Sequence, residues 1–249
     1  MESAVYRSYF KLAKVIALYR KKSRSLSSNY RPISLLNCFD QTFERLTHDK
    51  MSAFIDKHKI IYLNQYGFRK GFSTTLALID VIDTLKKALD HKDYAICIFL
   101  DLEKAFDTIS HEILLKKLEH YGFRGHSNIF FKSYLSNRKQ YCLVNGKQTD
   151  YQNISFGVPQ GSVLGPLFFL IFINDISMAM SKCNGKLFAD DTSLLLHHKQ
   201  INVLIHNAEL ALNDISHWFL LNKLSLSLDK YSFLFFHNVK EILATGSLI

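Results

Sequence analysis

The stretch Lys186-Leu-Phe-Ala-Asp190-Asp191-Thr192-Ser-Leu-Leu-Leu196 decides how this chain is read. Two short apolar runs flank a pair of consecutive aspartates, a pattern that predicts strand, tight turn, strand. Adjacent carboxylates repel each other, so the turn must open to solvent or to a cation. A second apolar run, Tyr94-Ala-Ile-Cys-Ile-Phe-Leu-Asp101-Leu102, is short and rich in branched residues. It reads as a buried strand, and it too runs out into an acid. If the hairpin pairs beside that strand, Asp101, Asp190 and Asp191 converge. Hard oxygen ligands with open water positions suit Mg²⁺ or Mn²⁺. Two such ions about 4 Å apart can hold both the attacking and the leaving oxygen of an in-line phosphoryl transfer.

Working outward, Asp40 is expected to cap a helix with Phe43, Leu46, Met51 and Phe54 on its buried face. Residues 60–72 look irregular, punctuated by Gly67 and Gly71. Ser73 opens a long helix with Leu78, Ile82, Leu85 and Leu89 on one stripe. A helix after Ser110 carries Leu114, Leu118 and Tyr121 and stops at Gly122. Asn145-Gly146, between Tyr141-Cys-Leu-Val and Lys147-Gln-Thr, predicts a hairpin, because that pair supplies positive φ for a type I′ turn. A glycine- and proline-marked loop, Gly157–Gly165, precedes an apolar helix from Pro166. A further helix from about Asn202 to Leu220 and a strand around Phe233–Phe236 complete the order. A helical first third, then strands interleaved with helices, argues an α+β domain whose antiparallel sheet has helices packed on it.

The chain has 249 residues, of which 48% are hydrophobic, enough for a sizeable core. That composition, with only 10 glycines and 3 prolines, excludes a disordered or collagen-like chain. The net charge is +9 and uneven, for Arg7, Lys11, Lys14, Arg20, Lys21, Lys22 and Arg24 face only Glu2 in the first 24 residues. A clustered basic field suits a polyanion such as nucleic acid. Cys38, Cys97, Cys142 and Cys183 lie too far apart for a zinc motif, and reduced thiols fit an intracellular protein. The eleven histidines form no metal cluster, and His197-His198 should be exposed. The start has no apolar secretory region. The longest apolar run, Leu167–Ile173, is far short of a membrane span, so no membrane partner is expected.

Three segments together carry a resemblance. Phe99-Leu-Asp101-Leu-Glu-Lys-Ala-Phe106-Asp107, Gly157-Val-Pro159-Gln160-Gly161-Ser-Val-Leu-Gly-Pro166 and Phe188-Ala189-Asp190-Asp191 resemble successive polymerase motifs, in the order found in reverse transcriptases. Tyr30-Arg31-Pro32-Ile33-Ser34-Leu and Asn64-Gln65-Tyr-Gly67-Phe68-Arg69-Lys70-Gly71 are similar to finger motifs of non-LTR, LINE-type, jockey-like retrotransposon enzymes. Trp218-Phe-Leu-Leu-Asn222-Lys-Leu-Ser resembles the segment that follows the catalytic hairpin there. The match covers about residues 15–236.

The resemblance implies a right hand of fingers and palm, with a fingers-like region and basic segment at 1–92 and a palm at 93–240. It implies an RNA-directed DNA polymerase that joins dNTPs to a DNA primer on an RNA template. Asp101, Asp190 and Asp191 would be the metal carboxylates, with the Leu102 carbonyl as a possible extra ligand. Phe106 would be the steric gate against ribonucleotides. Gln160 and Gly161 would lie beside the nascent base pair. Arg69, Arg31 and Lys70 would meet triphosphate or template backbone. Lys230 would protonate the leaving pyrophosphate, although Ser227 stands where relatives carry asparagine. Asp107 reads as a local cap or turn residue. Nuclear action at the integration step would follow from the family. The primer-grip strand and thumb should come after the palm, and residues 241–249 resemble neither, so a truncated or unrelated tail is expected. Two readings compete with this one. The first is a catalytically inactive nucleic-acid-binding remnant. The second is an RNA-templated RNA polymerase, against which Phe106 argues.

Overall fold

The computed structural model describes residues 5–20, 23–26, 29–144 and 146–237. Strands β1 (Leu12–Tyr19) and β2 (Tyr30–Leu35) come first, then helices α1 (Cys38–Lys57) and α2 (Thr74–Asp90) and strand β3 (Tyr94–Leu100). Helices α3 (His111–His120) and α4 (His126–Leu135) precede strands β4 (Arg138–Val144), β5 (Lys147–Gln148) and β6 (Gln152–Ile154). Helices α5 (Gly165–Ile173) and α6 (Ile176–Ala179), strands β7 (Asn184–Phe188) and β8 (Asp191–His198), helix α7 (Ile201–Leu221) and strand β9 (Ser232–Phe236) follow. The class is mixed α+β. The expected helical first third is corrected by β1 and β2. Asn145 and the tail 241–249 lie outside the described residues. No helix among the described residues is long and apolar enough to cross a membrane.

Two compact units form, each from two stretches of chain. One joins Met1–Ile60 to Phe106–Phe172, and the other joins Ile61–Ala105 to Ile173–Ile249. In the first, β1 pairs antiparallel with β2 and parallel with β4, and β4 in turn pairs with β5 and β6. The parallel pair joins Leu12 to Lys139 and Val15 to Cys142, far apart in sequence. An aromatic core fills this unit: Phe168 meets Phe131 and Tyr134 with ring centroids 5.6 and 5.7 Å apart.

Helix α1 departs from its expected face. Asn37, not Asp40, caps it, accepting from the Phe39 amide at 2.9 Å. Asp40 and Glu44 are fully buried, whereas Phe43 and Leu46 are exposed. Asp40 meets the buried Arg138 and Glu44 meets the Tyr134 hydroxyl and the Val163 amide, so polar groups occupy the side an apolar stripe was expected to fill. Lys11 of the basic segment is buried too, and burial followed by the Arg138 charge pushes its pKa down.

In the second unit the order is β7-β8-β3-β9, all antiparallel. Central strand β3 is buried on both faces: Ala95 and Cys97 point one way, Ile96 and Ile98 the other, and none is more than 4% exposed. Helix α2 starts at Ser73, whose hydroxyl accepts from Leu76, as expected. Its stripe is rotated, however. Leu78 and Ile82 are exposed, Ala88 is buried, and Asp80 takes the buried Lys186 of β7 at 2.5 Å. Burial works to raise the Asp80 carboxyl, but Lys186 and Tyr66 together hold it below the usual range. Helix α7 lays Leu204, Ala208, Ala211, Ile215 and Trp218 inward, a spacing of three and four residues.

Candidate active site

The site is built on the ends of strands in the second unit. Strand β3 pairs with β8 from Tyr94↔His198 to Leu100↔Thr192. One more step of that register sets Asp101 opposite Asp191, and directly opposed Cα atoms lie about 5 Å apart. On the other side of β8, Phe188 pairs with Asp191, leaving Ala189 and Asp190 as a two-residue turn. Ala189 has φ +55°, the sign a type II′ turn needs at its first central residue. Glycine is at ease there, and a residue with a Cβ carries about 1–2 kcal/mol of strain. The turn therefore presents two consecutive carboxylates next to a third.

A strap that follows α7 closes on Asp101. The Ser227 amide donates to the Asp101 carbonyl at 2.9 Å, and the Glu103 amide donates to the Ser225 carbonyl at 2.8 Å. These bonds bracket the Leu102↔Leu226 bridge, so the N–H and C=O of Leu102 point away from the strap. Ser227 acts here through its backbone, so this contact does not need asparagine. A turn of 3-10 helix, Leu228–Lys230, then brings Lys230 Nζ to 2.7 Å from Asp101 Oδ2. Although Asp191 is an exposed residue, the protein packed around its carboxyl disfavours charge. Asp190 and Asp101 add repulsion, and these together raise its pKa against the pull of Lys230.

The second unit thus gathers Asp101, Leu102, Asp190, Asp191 and Lys230. Arg69 and Lys70 sit in the loop before α2. Arg69 Nη1 donates to the carbonyls of Gln65 at 2.9 Å and Tyr62 at 3.2 Å, and its guanidinium lies 4.1 Å from the Phe72 ring centre. Lys70 is exposed.

The other four residues belong to the first unit. Phe106 stacks on the buried Phe169, ring centres 4.9 Å apart and 28° inclined. Gln160 donates from Nε2 to Asp107 Oδ1 at 2.8 Å, and its carbonyl accepts from Ser34 at 2.7 Å. Asp107 therefore orients Gln160. Gly161 has φ +113°, and a Cβ there would meet the Ser34 carbonyl at 2.8 Å, so only glycine fits. Arg31 is exposed on β2.

Glu44 is not foreseen by the sequence. Its carboxylate accepts from the Val163 amide at 2.6 Å and from the Tyr134 hydroxyl, which tethers the loop that carries Gln160 and Gly161. The sequence signal for it is slight, two acids one turn apart in α1. Gln65 falls within a finger-like motif that by itself gives it no role; it is buried against the β7–β8 hairpin. His197 is exposed and pairs with Asp93 at 2.8 Å.

Among the described residues no three histidine, cysteine or acidic side chains form a ready cage for a metal ion. The donor chemistry fits a hard divalent cation nevertheless. Oxygen ligands are what such ions take, and the raised pKa of Asp191, owed first to burial and then to the charges of Asp190 and Asp101, marks a carboxylate whose ionised form a cation would favour.

Similarity to known proteins bears on this site. The family model described as reverse transcriptase (RNA-dependent DNA polymerase) matches residues 19–246, and the chain belongs to that family. Its relatives include polymerases of jockey, BS and X-element non-LTR mobile elements. It is 30% identical over 217 residues to the RNA-directed DNA polymerase from mobile element jockey of Drosophila melanogaster, covering 84% of this chain and 24% of that protein. The probable RNA-directed DNA polymerase from transposon X-element of the same fly is 34% identical over 168 residues, 66% of this chain and 18% of the relative. That from transposon BS is 28% identical over 223 residues, covering 84% and 24%. The chain thus spans about a quarter or less of the length of these relatives. Among solved structures, apo telomerase from Candida tropicalis truncated from the C-terminal domain aligns with a TM-score of 0.61 at 13% identity, covering 98% of this chain and 56% of that one. Telomerase from Candida albicans in complex with a fragment of telomeric RNA gives 0.55 at 14%, covering 95% and 44%. The likeness to these two concerns the fold.

Proposed function

We propose that this chain is the fingers-and-palm module of an RNA-directed DNA polymerase from a retroelement, acting on an RNA template, a DNA primer and dNTPs. The sheet β7-β8-β3-β9 would be the palm. The primer 3′-hydroxyl gives its proton to water, its oxygen bonds to the α-phosphorus of a dNTP, the bond to the bridging oxygen breaks, and pyrophosphate leaves. Asp101, Asp190, Asp191 and the Leu102 carbonyl would hold two Mg²⁺ or Mn²⁺ ions. When bound, these neutralise the phosphates and lower the pKa of the attacking hydroxyl.

The chain's own residues do the rest. Lys230, poised at Asp101, hands a proton to the leaving pyrophosphate. Phe106 fills the space a 2′-hydroxyl would need. Gln160 and Gly161 line the nascent base pair, and Arg31, Arg69 and Lys70 meet phosphate. Action at chromosomal DNA would take place in the nucleus. The observation that carries this reading is that the β3–β8 register runs to Leu100↔Thr192, one residue short of Asp101 and Asp191, with Asp190 at the adjoining turn and the charge of Asp101 felt at Asp191.

Primer extension on poly(rA) with Mg²⁺ or Mn²⁺ tests it. Incorporation should fall at least about a hundredfold in Asp190→Asn, since electrostatic stabilisation of the reacting phosphate supplies most of the acceleration. Metal-dependent incorporation that survives this change would overturn the assignment.

The ion pair of Lys230 with Asp101 favours a second reading, because it already neutralises one carboxylate. A catalytically inactive remnant would bind RNA with the same salt dependence with or without metal, and would be indifferent to Asp101→Ala. Incorporation by the wild-type chain excludes that reading.

A further inference from the structure

The hairpin that carries Asp190 and Asp191 is held in an unfavourable backbone conformation, and one side chain supplies what holds it. Ala189 has φ +55° at a turn position that glycine fills without strain. Such conformations persist only where their surroundings over-determine them. Here the surroundings are the loop before α2. The Tyr66 amide donates to the Leu187 carbonyl, and the Leu187 amide donates to the Asn64 carbonyl, each at 2.8 Å. Residues 64–66 therefore run beside β7 as a parallel rung.

At the centre of that rung Gln65 is 1% exposed. Its Oε1 accepts from the Ala189 amide at 3.0 Å and from the Gly67 amide at 2.7 Å. Both partners are N–H donors, which fixes the amide orientation: the oxygen must face them. Its Nε2 is buried and finds no partner among the described residues. An apolar residue would fill this space without leaving a donor unpaired, so the two accepted bonds are what the position offers. Gly67 allows the approach, because a Cβ there would lie 2.2 Å from the Ala189 nitrogen.

The residue type is selective as well. Glutamate keeps the acceptor oxygens but would bring a fourth negative charge near Asp101, Asp190 and Asp191. Asparagine is one methylene too short to span the same two amides.

We propose that Gln65 is a positioning residue for the carboxylate turn. Its side-chain oxygen, with the close-packed backbone of Gly67, locks Ala189 in the left-handed conformation and so sets the direction in which Asp190 and Asp191 meet divalent cations. The inference rests on the reading that those two carboxylates bind the cations. A residue that merely held the loop down would change stability and leave metal affinity untouched.

The test uses the full chain and has three parts. In the metal-free wild type, hydrogen exchange at the Ala189 and Gly67 amides should be slowed at least a hundredfold relative to an open turn. Exchange at the open-turn rate would refute the clamp, whatever the variants do. Mn²⁺ alone, titrated by electron paramagnetic resonance, should then bind about tenfold more weakly to Gln65→Met and to Gly67→Ala than to wild type. Gln65→Glu should retain slow exchange at Ala189, because the acceptor is kept. Mn²⁺ affinity within twofold of wild type in both weakening variants, with folded thermal melts, overturns the proposal. If either variant does not fold, the other and the wild-type exchange decide.

In primer extension, half-saturating metal should rise by a similar factor while KM for dNTP stays within about twofold. A wild type that incorporates no nucleotide, with Gln65→Met still weakening Mn²⁺, removes the polymerase reading and keeps the clamp. A wild type that incorporates normally, with Gln65→Met unaltered in metal dependence, does the reverse.

Discussion

Asp40 carries a cost that pH exposes. Its carboxylate is fully buried, and Arg138 Nη2 stands 3.8 Å away, beyond hydrogen-bond reach. Neither carboxylate oxygen has a hydrogen-bond partner among the described residues. Burial first, then the charge of Glu44 one turn away, push its pKa up to about 7 from 3.8, against the pull of Arg138. The folded state therefore keeps this proton after the unfolded chain has released it. Folding stability is greatest at or below the unfolded value and falls as pH rises through the folded one. The loss should amount to a few kcal/mol, or roughly 5–10 °C in melting temperature for a chain of this size. Comparing wild type with Asp40→Asn cancels other titrations: the wild type should lose this much more than the variant between pH 5 and pH 8, and parallel profiles would refute the assignment. Phe106 belongs to the same scale. Phe169 fixes its ring, so Phe106→Ala should raise the ratio of ribonucleotide to deoxynucleotide incorporation about tenfold, and an unchanged ratio would remove the gate. These residues also mark what sequence can display. Asp101, Asp190 and Asp191 are legible because an acid at the end of an apolar run must be paired, solvated or bound to a cation. Glu44 and Gln65 are not, because each is tied to its loop or turn through a backbone amide, of Val163 and of Ala189, which almost any residue type would supply.

Among the elements, β3 is the one whose loss should be felt most. Ile98 is fully buried and is flanked by Leu194 of β8 and Phe233 of β9. Ile98→Ala should cost about 3–5 kcal/mol, the lost burial and the cavity left behind acting together. Leu78→Ala on α2, where the side chain is 58% exposed, should cost under about 1 kcal/mol. Urea unfolding monitored by circular dichroism separates the two, and equal costs would mean that the burial pattern is wrong. The contrast explains which elements can be read in advance. β3, α3, α7 and the β7–β8 hairpin advertise themselves through local signals: an unbroken apolar run, a serine cap, a three-and-four spacing, a double aspartate. The existence of α1 and α2 is legible but their inward faces are not. Those faces are set by Asp40 with Arg138 and by Asp80 with Lys186, ion pairs formed across elements. β1 is hidden because its pairing with β4 joins Leu12 to Lys139, and such contacts leave no short-range periodicity.

At the scale of the whole molecule, net charge governs what can be bound before any site is engaged. The chain carries 31 lysines and arginines against 22 acids. Arg7, Arg20, Arg24 and Arg31 are exposed in the unit that holds the β1–β2 hairpin, and Arg24 lies 5.1 Å from the Tyr19 ring centre. Each cation that neutralises a phosphate releases a counterion, lowering the logarithmic salt slope by about 0.7 for single strands. If these four arginines contact RNA, affinity should fall with a slope of about −3. Replacing Arg20, Arg24 and Arg31 with glutamine should flatten that slope by about 2, whereas Asp101→Ala should leave it unchanged, because a carboxylate makes no phosphate ion pair. Fluorescence anisotropy of a labelled single-stranded RNA between about 50 and 300 mM KCl measures both. A slope insensitive to the arginines would mean that RNA is held elsewhere.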